Sequence, residues 1–354
     1  MASEKLLFNN DGLSLTNIKK YILPLFSLEN ATVSMIKFKD TDKQRAVFKV
    51  ETQSNSYCLK KVYYNEENLL FVYSAMEWLY RNNLNVPRLI PSKNNSRFVL
   101  FNSMIFILTP WIDGDKCDFD NPTHINLSCQ TLGKIHKVSK NFFPIEGSTE
   151  RKGLEDFHLS TSKHFNQLLE NANYASTIKD RFSNIYLDNL DYNLDLAKLS
   201  LEISSTIDSS ELSTSLCHGD YVNKNIIIDN QNKVFIIDFD KCKYDYSAYD
   251  LSYFLRRLLK RPTTNWETKI TIDVLDSYLK ENYLTPSDFK YILAYLAFPQ
   301  KYWKISRDYY KNIKKCNKKS FVTLLEKGLD RTSNQLEYVK NMIVVLEKYY
   351  NVKF

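Results

Sequence analysis

Between residues 32 and 62 the chain runs through VSMIKF, RAVFKVET and SYCLKKVYY, each broken from the next by a polar turn, KDTDKQ or QSNS. Short runs rich in β-branched and aromatic residues and bounded by polar breaks predict strands, here joined as an antiparallel meander. From 65 to 82 the period changes, and Leu69, Val72, Met76 and Leu79 recur at three- and four-residue intervals. That stripe predicts one amphipathic helix ending at the Asn82-Asn83 pair before Val86-Pro87. Two more strand-like runs, SRFVLFN and MIFILTPWI, precede the turn-rich DGDKCDFDNP, which sets a lobe boundary near 111–114.

Beyond that boundary helical periodicity dominates: over 125–139, 163–170, 192–204, 251–260, 270–282, 288–297 and a long terminal stretch to 350. One β segment, SLCHGDYVNKNIIIDNQNKVFIIDFD at 215–240, interrupts the helices. Its runs NIIID and VFIIDF flank the turn NQNK and predict a hairpin. A chain of 354 residues exceeds what one hydrophobic core usually serves. The pattern therefore predicts an α+β protein of two lobes, a small antiparallel sheet with one helix at 1–112 and a larger, mostly helical lobe at 113–354.

Composition changes this picture little. The formal net charge of +7 suits an anionic ligand such as a nucleotide, because positive potential draws anions toward a cleft. The lysines are scattered and form no basic block, so nucleic acid is not an expected partner. Six cysteines show no CxxC pair and no zinc spacing, which fits a reduced, intracellular chain. The start MASEKLLFNNDG lacks a basic region followed by an apolar stretch, and the longest apolar run, at 104–112, is too short to span a bilayer. Cytoplasmic synthesis is expected, without secretion or membrane insertion.

The hairpin segment carries the chemistry. Phosphoryl transfer needs a carboxylate to orient and deprotonate an acceptor hydroxyl, plus oxygen ligands that hold Mg²⁺ against the phosphates. Asp220 and Asn225 stand five positions apart, the offset of a kinase catalytic loop, and Asp238 follows at the end of the next strand. His218-Gly219-Asp220, Asn225 and Ile237-Asp238-Phe239-Asp240 together resemble the motif of aminoglycoside and choline kinases, a protein-kinase-like superfamily. Tyr249-Asp250-Leu251-Ser252 followed by FLRR, TPWIDG at 109–114 and FPQKYW at 298–303 are similar to its CotS spore-coat branch.

The resemblance implies a two-lobed kinase fold, with ATP and Mg²⁺ as cofactors and a small polar hydroxyl compound as acceptor. It implies that Asp220 is the catalytic base, that Asn225 and Asp238 bind magnesium, that His218 braces the loop, and that Asp250 is a buried structural partner. On the third strand, Lys60 is expected over the phosphates, and its neighbour Lys61 faces away because side chains alternate along a strand. Of Glu66, Glu67 and Glu77 on the following helix, Glu67 is the preferred carboxylate partner, although acids in a first helical turn also have a purely structural use. Asp238, Asn225 and Asp220 are expected to converge within reach of one divalent ion at the mouth of a cleft.

Two departures stand against this pattern. No glycine lies between Val33 and Val50, and the turn at 39–43 places Asp40 and Asp42 where a phosphate loop belongs. Asp240 stands where protein kinases carry a glycine, and reads as a turn former before it reads as a second magnesium ligand. The cluster FPQKYW is the candidate acceptor wall, through Lys301 or Trp303. The competing expectation is a structural spore-coat component that binds other coat proteins on a kinase scaffold. Protein phosphorylation is disfavoured, because no Ala-Pro-Glu motif is present.

Overall fold

The computed structural model describes residues 13–39 and 44–354. Helix α1 (Leu15–Asn17) precedes strands β1 (Thr32–Lys39), β2 (Arg45–Glu51) and β3 (Ser56–Val62), helix α2 (Glu66–Arg81), and strands β4 (Val99–Phe101), β5 (Met104–Pro110) and β6 (Asp115–Lys116). Next come helices α3 (Pro122–Val138), α4 (Phe157–Ile178), α5 (Arg181–Asp188) and α6 (Leu190–Ser205), then strands β7 (Thr214–Cys217), β8 (Ile226–Ile228), β9 (Val234–Ile236) and β10 (Lys243–Tyr246). The chain finishes with helices α7 (Ser247–Leu259), α8 (Thr268–Leu279), α9 (Pro286–Ala297), α10 (Gln300–Lys311), α11 (Lys318–Leu329) and α12 (Thr332–Tyr350). These elements pack into two units. The first holds the described residues up to Lys116 with Asn141–Arg151 and Lys224–Cys242; the second holds Cys117–Lys140, Lys152–Asn223 and Lys243–Phe354.

In the first unit, five antiparallel strands lie in the order β1-β2-β3-β5-β4. Alternation gives this sheet two different faces. Phe48, Leu59, Phe106 and Leu108 point into a core shared with Ile18, Ile22 and Leu23 from the short helical turns before β1. Fully burying each such side chain contributes about 1.5–3 kcal/mol, which fixes the register, since a one-residue slip would turn them all outward. The residues between them, Val47, Cys58, Lys60, Ile107 and Thr109, line a cavity on the opposite face. Helix α2 begins at Asn65, whose side chain accepts the Asn68 N–H, and stops at Asn82 before the left-handed Asn83. Phe142 from the inserted segment packs edge-on against Phe71 and Trp78 of α2 at 5.5 and 5.8 Å. Strands β6, β8 and β9 form a second small sheet, held to the preceding chain where the Ile236 N–H donates to the Asn85 carbonyl and Asn85 Nδ2 donates to the Val234 carbonyl.

The second unit is mostly helical, around one short antiparallel pair, β7 with β10. A tyrosine-rich core joins α4, α5, α6, α10 and α11, with Tyr186 stacked on Tyr302 at 4.5 Å and Phe182 on Tyr309 at 3.8 Å. The α+β class and the predicted meander, helix and hairpin are all present. The β7–β10 pair, helix α5 and the helical turns before β1 were not predicted. Helix α4 runs well beyond its predicted 163–170, because Asp156 caps it upstream by accepting the Leu159 N–H. The expectations for Asp40 and Asp42 fall outside the described residues. Among the described residues no helix is long and apolar enough to cross a membrane, and the six cysteines are free thiols.

Candidate functional site

On β3, alternation sends Lys60 to the cavity face and Lys61 to the other, where its ammonium donates to the Gln44 carbonyl at 2.9 Å. Lys60 Nζ donates to Asp238 Oδ1 at 2.6 Å and to Asp240 Oδ1 at 2.7 Å. Burial opposes the charge on Lys60, yet the carboxylates of Asp240 and Asp238 outweigh it and hold the ammonium above its ordinary range. The two acids differ in setting. Asp240 is buried in the turn Phe239–Lys241, whereas a third of the Asp238 side chain remains exposed, at 33%.

Asp240 gathers more than a turn former needs. Its Oδ1 also accepts from Tyr64 Oη at 3.2 Å, Arg45 Nη1 lies 3.6 Å from its Oδ2, and its backbone carbonyl accepts from Arg151 Nη2 at 2.6 Å. Burial, followed by the charge of Asp240, pushes the Tyr64 phenol well above its ordinary value, so Tyr64 donates as a neutral group. The Oδ2 atom of Asp240 is buried without a hydrogen bond.

Asn225 and Asp238 come together through the β8–β9 hairpin. The Ile237 N–H donates to the Asn225 carbonyl at 3.0 Å, which puts the residues flanking the two paired strands side by side. Asp238 adopts a left-handed backbone, φ 68°, a conformation that a non-glycine residue adopts at some cost and that turns its side chain out of the strand line. Asn225, Asp238, Asp240 and Lys60 all line one cavity of about 590 Å³. Its other walls are apolar, with Val47, Val72, Ile107 and Trp111 among them. Gly114 closes one edge at φ +139°, where an added Cβ would sit 2.7 Å from the Ile228 carbonyl. Asn225, Asp238 and Asp240 can offer oxygen ligands, and Asp240 Oδ2 accepts no hydrogen bond; this set suits a hard divalent cation such as Mg²⁺.

The structure does not bring Glu67 to Lys60. Glu67 is exposed on the first turn of α2, where the helix dipole favours an acid, and Lys60 gives two of its three N–H donors to Asp238 and Asp240. Glu66 is likewise exposed, and the buried Glu77 pairs with Arg88 at 2.8 Å. Arg45, Tyr64 and Arg151 carry no motif and were missed. Only the β2–β3 register, with Arg45 near the end of a strand paired to that of Lys60, signals the first of them.

In the second unit, β7 delivers the loop His218-Gly219-Asp220. Asp250, buried on α7, accepts the N–H of His218 at 2.5 Å and that of Gly219 at 2.9 Å. Gly219 has φ +75°, a backbone that a residue with a Cβ adopts only with strain. The Asp220 N–H donates to His218 Nδ1 at 3.2 Å, so His218 touches the loop's backbone. Asp220 is nearly buried, and its Oδ1 accepts from Tyr253 Oη at 3.3 Å, which in turn accepts from Arg257 Nη2 at 3.0 Å. Burial disfavours the charged form of Asp250; the interactions with His136 and His218 and the Gly219 N–H outweigh it and hold its carboxyl below the usual range. His136 Nε2 lies 3.6 Å from Asp250 Oδ2, and burial pushes the adjoining Cys217 thiol well up, so it stays neutral. Tyr253 follows Asp250 by three positions on α7, the one signal that could have placed it by Asp220.

Of the FPQKYW cluster, Trp303 is core: its Nε1 donates to Gln167 Oε1 at 2.8 Å, and His164 lies against its ring at 3.9 Å. Lys301 lines a separate cavity of the second unit.

Comparison with known proteins identifies the family and the fold. Residues 37–285 match the model of the phosphotransferase enzyme family. Spore coat protein S of Bacillus subtilis is 22% identical over 292 residues, spanning 80% of this chain and 82% of that protein. Among solved structures, an aminoglycoside phosphotransferase from Alicyclobacillus acidocaldarius has a TM-score of 0.75 at 17% identity, covering 92% of this chain and 95% of the other. A spectinomycin phosphotransferase in complex with ADP and spectinomycin has a TM-score of 0.66 at 16% identity, covering 92% and 97%. At such identities the structures speak for the fold, and the family model, which spans more than half the sequence, speaks for descent: this chain belongs to the phosphotransferase enzyme family.

Proposed function

We propose that the protein is an ATP- and Mg²⁺-dependent phosphotransferase that acts on a hydroxyl of a small polar metabolite. The observation that carries this reading is the corner of the first unit's cavity where Lys60, Asp238, Asp240 and Asn225 line one wall opposite apolar residues. A volume of about 590 Å³ lies within the range of small-ligand sites, and apolar walls with a few convergent polar groups suit a base and its phosphates. Bound MgATP supplies the phosphoryl group. Lys60 holds phosphate oxygens, Asn225 and Asp238 hold the metal, and Asp220 accepts the proton of the attacking hydroxyl. His218 and Asp250 act as positioning residues that fix the loop, and Tyr253 fixes the carboxylate of Asp220.

MgATP at a hundredfold excess over its Kd should stabilise the protein by about 2.7 kcal/mol, a rise in Tm of roughly 5 °C. Asp238→Ala should lose that rise. Asp220→Asn should keep it while turnover, found by screening polar hydroxyl metabolites for ATP consumption, falls about 10²–10⁴-fold. Equal shifts in the native protein and Asp238→Ala would end the reading.

The similarity to spore coat protein S supports a second one. In it the chain is assembled into a spore coat beside other coat proteins, and the kinase scaffold serves assembly with weak or no turnover. Complementation of a coat defect by Asp220→Asn at the native level would favour the scaffold; failure would favour the enzyme.

A further inference from the structure

The second unit contains a cavity of about 350 Å³ that Lys60, Asp220, Asn225 and Asp238 do not line. Arg256, Lys260, Arg261, Lys301, Lys327 and Arg331 line it, and Asp330 is the one acid among its walls. Two of these cations are paired: Arg261 with Asp120 at 2.5 Å and Arg331 with Asp330 at 3.7 Å. Among the described residues no carboxylate lies within ion-pair distance of the other four, Arg256, Lys260, Lys301 and Lys327. Cations on a protein surface ordinarily spread apart or meet acids, since like charges at short range repel.

Neutral groups hold two of these four cations, Arg256 and Lys301, in place without cancelling their charge. Arg256 donates to Gln300 Oε1 and to the Phe298 carbonyl, the latter at 3.3 Å, and its guanidinium lies 4.1 Å from the centre of the Tyr295 ring. Lys301 donates to the Lys327 carbonyl at 3.1 Å, and Arg331 Nη1 to the Lys260 carbonyl at 3.3 Å. Lost solvent, then the positive charges of Arg257, Lys301 and Arg256, push Lys260 down to about 8. Partial loss of solvent, then the charge of Lys327, push Lys301 down as well, against the pull of Asp330. The cluster is thus strained electrostatically in the free protein, and a bound anion would relieve it. The starts of α10 and α12 border the same cavity through Gln300 and Thr332, and neither helix has a side-chain cap or an acid in its first turn. Their helix dipoles add to the positive field.

The geometry points to a binding site for a small, multiply charged phosphate compound in this cavity. Guanidinium and ammonium groups around a volume of this size recognise clustered phosphate oxygens, and the bonds that already hold Arg256, Lys301 and Arg331 reduce what ordering costs on binding. The site lies wholly within the second unit and is independent of Lys60.

Calorimetric titration with pyrophosphate tests the assignment on the full chain, in the native protein, in Lys60→Ala and in the double variant Lys301→Glu/Lys327→Glu. Both substituted lysines of the double variant are exposed, and circular dichroism checks that it folds. The native protein should show a pyrophosphate site that persists in Lys60→Ala with unchanged affinity, and the double variant should bind pyrophosphate at that site at least about tenfold more weakly. Lysine side-chain NMR of the native protein should show the Lys260 titration moving up when pyrophosphate is present. No binding to the native protein would overturn the proposal. So would loss of binding in Lys60→Ala with retention in the double variant, which places the anion at the nucleotide site. Tighter binding of citrate than of pyrophosphate would overturn the phosphate class.

Discussion

Lys60 meets two acids whose surroundings differ, and burial decides which one matters more to stability. The Asp240 side chain is 4% exposed and that of Asp238 is 33% exposed. A buried pair that loses one partner costs about 3–5 kcal/mol, because the remaining charge stays out of water, whereas an exposed partner is worth about 0–1 kcal/mol. Asp240→Asn should therefore destabilise the protein by a few kcal/mol, and Asp238→Asn by much less, as read from urea midpoints at pH 7. Equal losses would show that Asp240 is not the structural anchor of Lys60. The motif around 218–240 was legible in the sequence because its residues lie close along the chain and their types are dictated by oxygen chemistry. The role of Asp240 was not, since an acid after Asp238-Phe239 gives no sign that Arg45, Tyr64 and Lys60 will meet it from elements more than 170 residues away. Glu67 misled for a related reason: a first-turn acid satisfies the helix itself.

At the scale of elements, the periodic stripes of α2, α3, α7 and α9 made those helices readable, while α5 escaped. It has only eight residues and begins at a cap, Asp180, that looks like any turn acid in the sequence. In the fold, Asp180 accepts from the Ser183 N–H at 3.0 Å, Tyr309 Oη at 2.5 Å and Lys318 Nζ at 3.0 Å, joining α5 to α10 and to the start of α11. Burial raises its pKa, but these donors, Tyr309 foremost, more than offset it and bring it down to about 2. A carboxyl whose folded pKa is depressed stabilises the fold above its ordinary value, and that contribution is lost as pH falls through the folded one. Asp180→Ala should cost about 1–2 kcal/mol at pH 7, a drop of roughly 2–4 °C in Tm. The gap between variant and native protein should close between about pH 4 and pH 2. A gap that persists unchanged at pH 2 would mean that the carboxylate charge is not what holds α5.

Over the whole molecule, sequence order and packing order diverge. The hydrophobic pattern marks a change of character near residue 112 but cannot show that 141–151 and 224–242 return to the first unit, because both segments are short and contribute strands or aromatic contacts that any sheet would accept. Strand β8 starts nine residues after β7 ends, yet β8 pairs with β6 and β9 in the first unit while β7 pairs with β10 in the second. Cooperative opening follows packed units, so amides should lose protection with their packing partners and not with their chain neighbours. Native-state hydrogen exchange in rising urea provides the measurement. The amides of β8 and β9 should open together with those of β2 and β3, and those of β7 and β10 with the buried turns of α7. Substitution of Phe142 by alanine, which removes its contacts with Phe71 and Trp78, should accelerate exchange in α2, β8 and β9 and leave β7 and β10 unchanged. If β8 instead follows β7, the segment 214–236 opens as one stretch of chain, and the division into two packing units carries no weight for its stability.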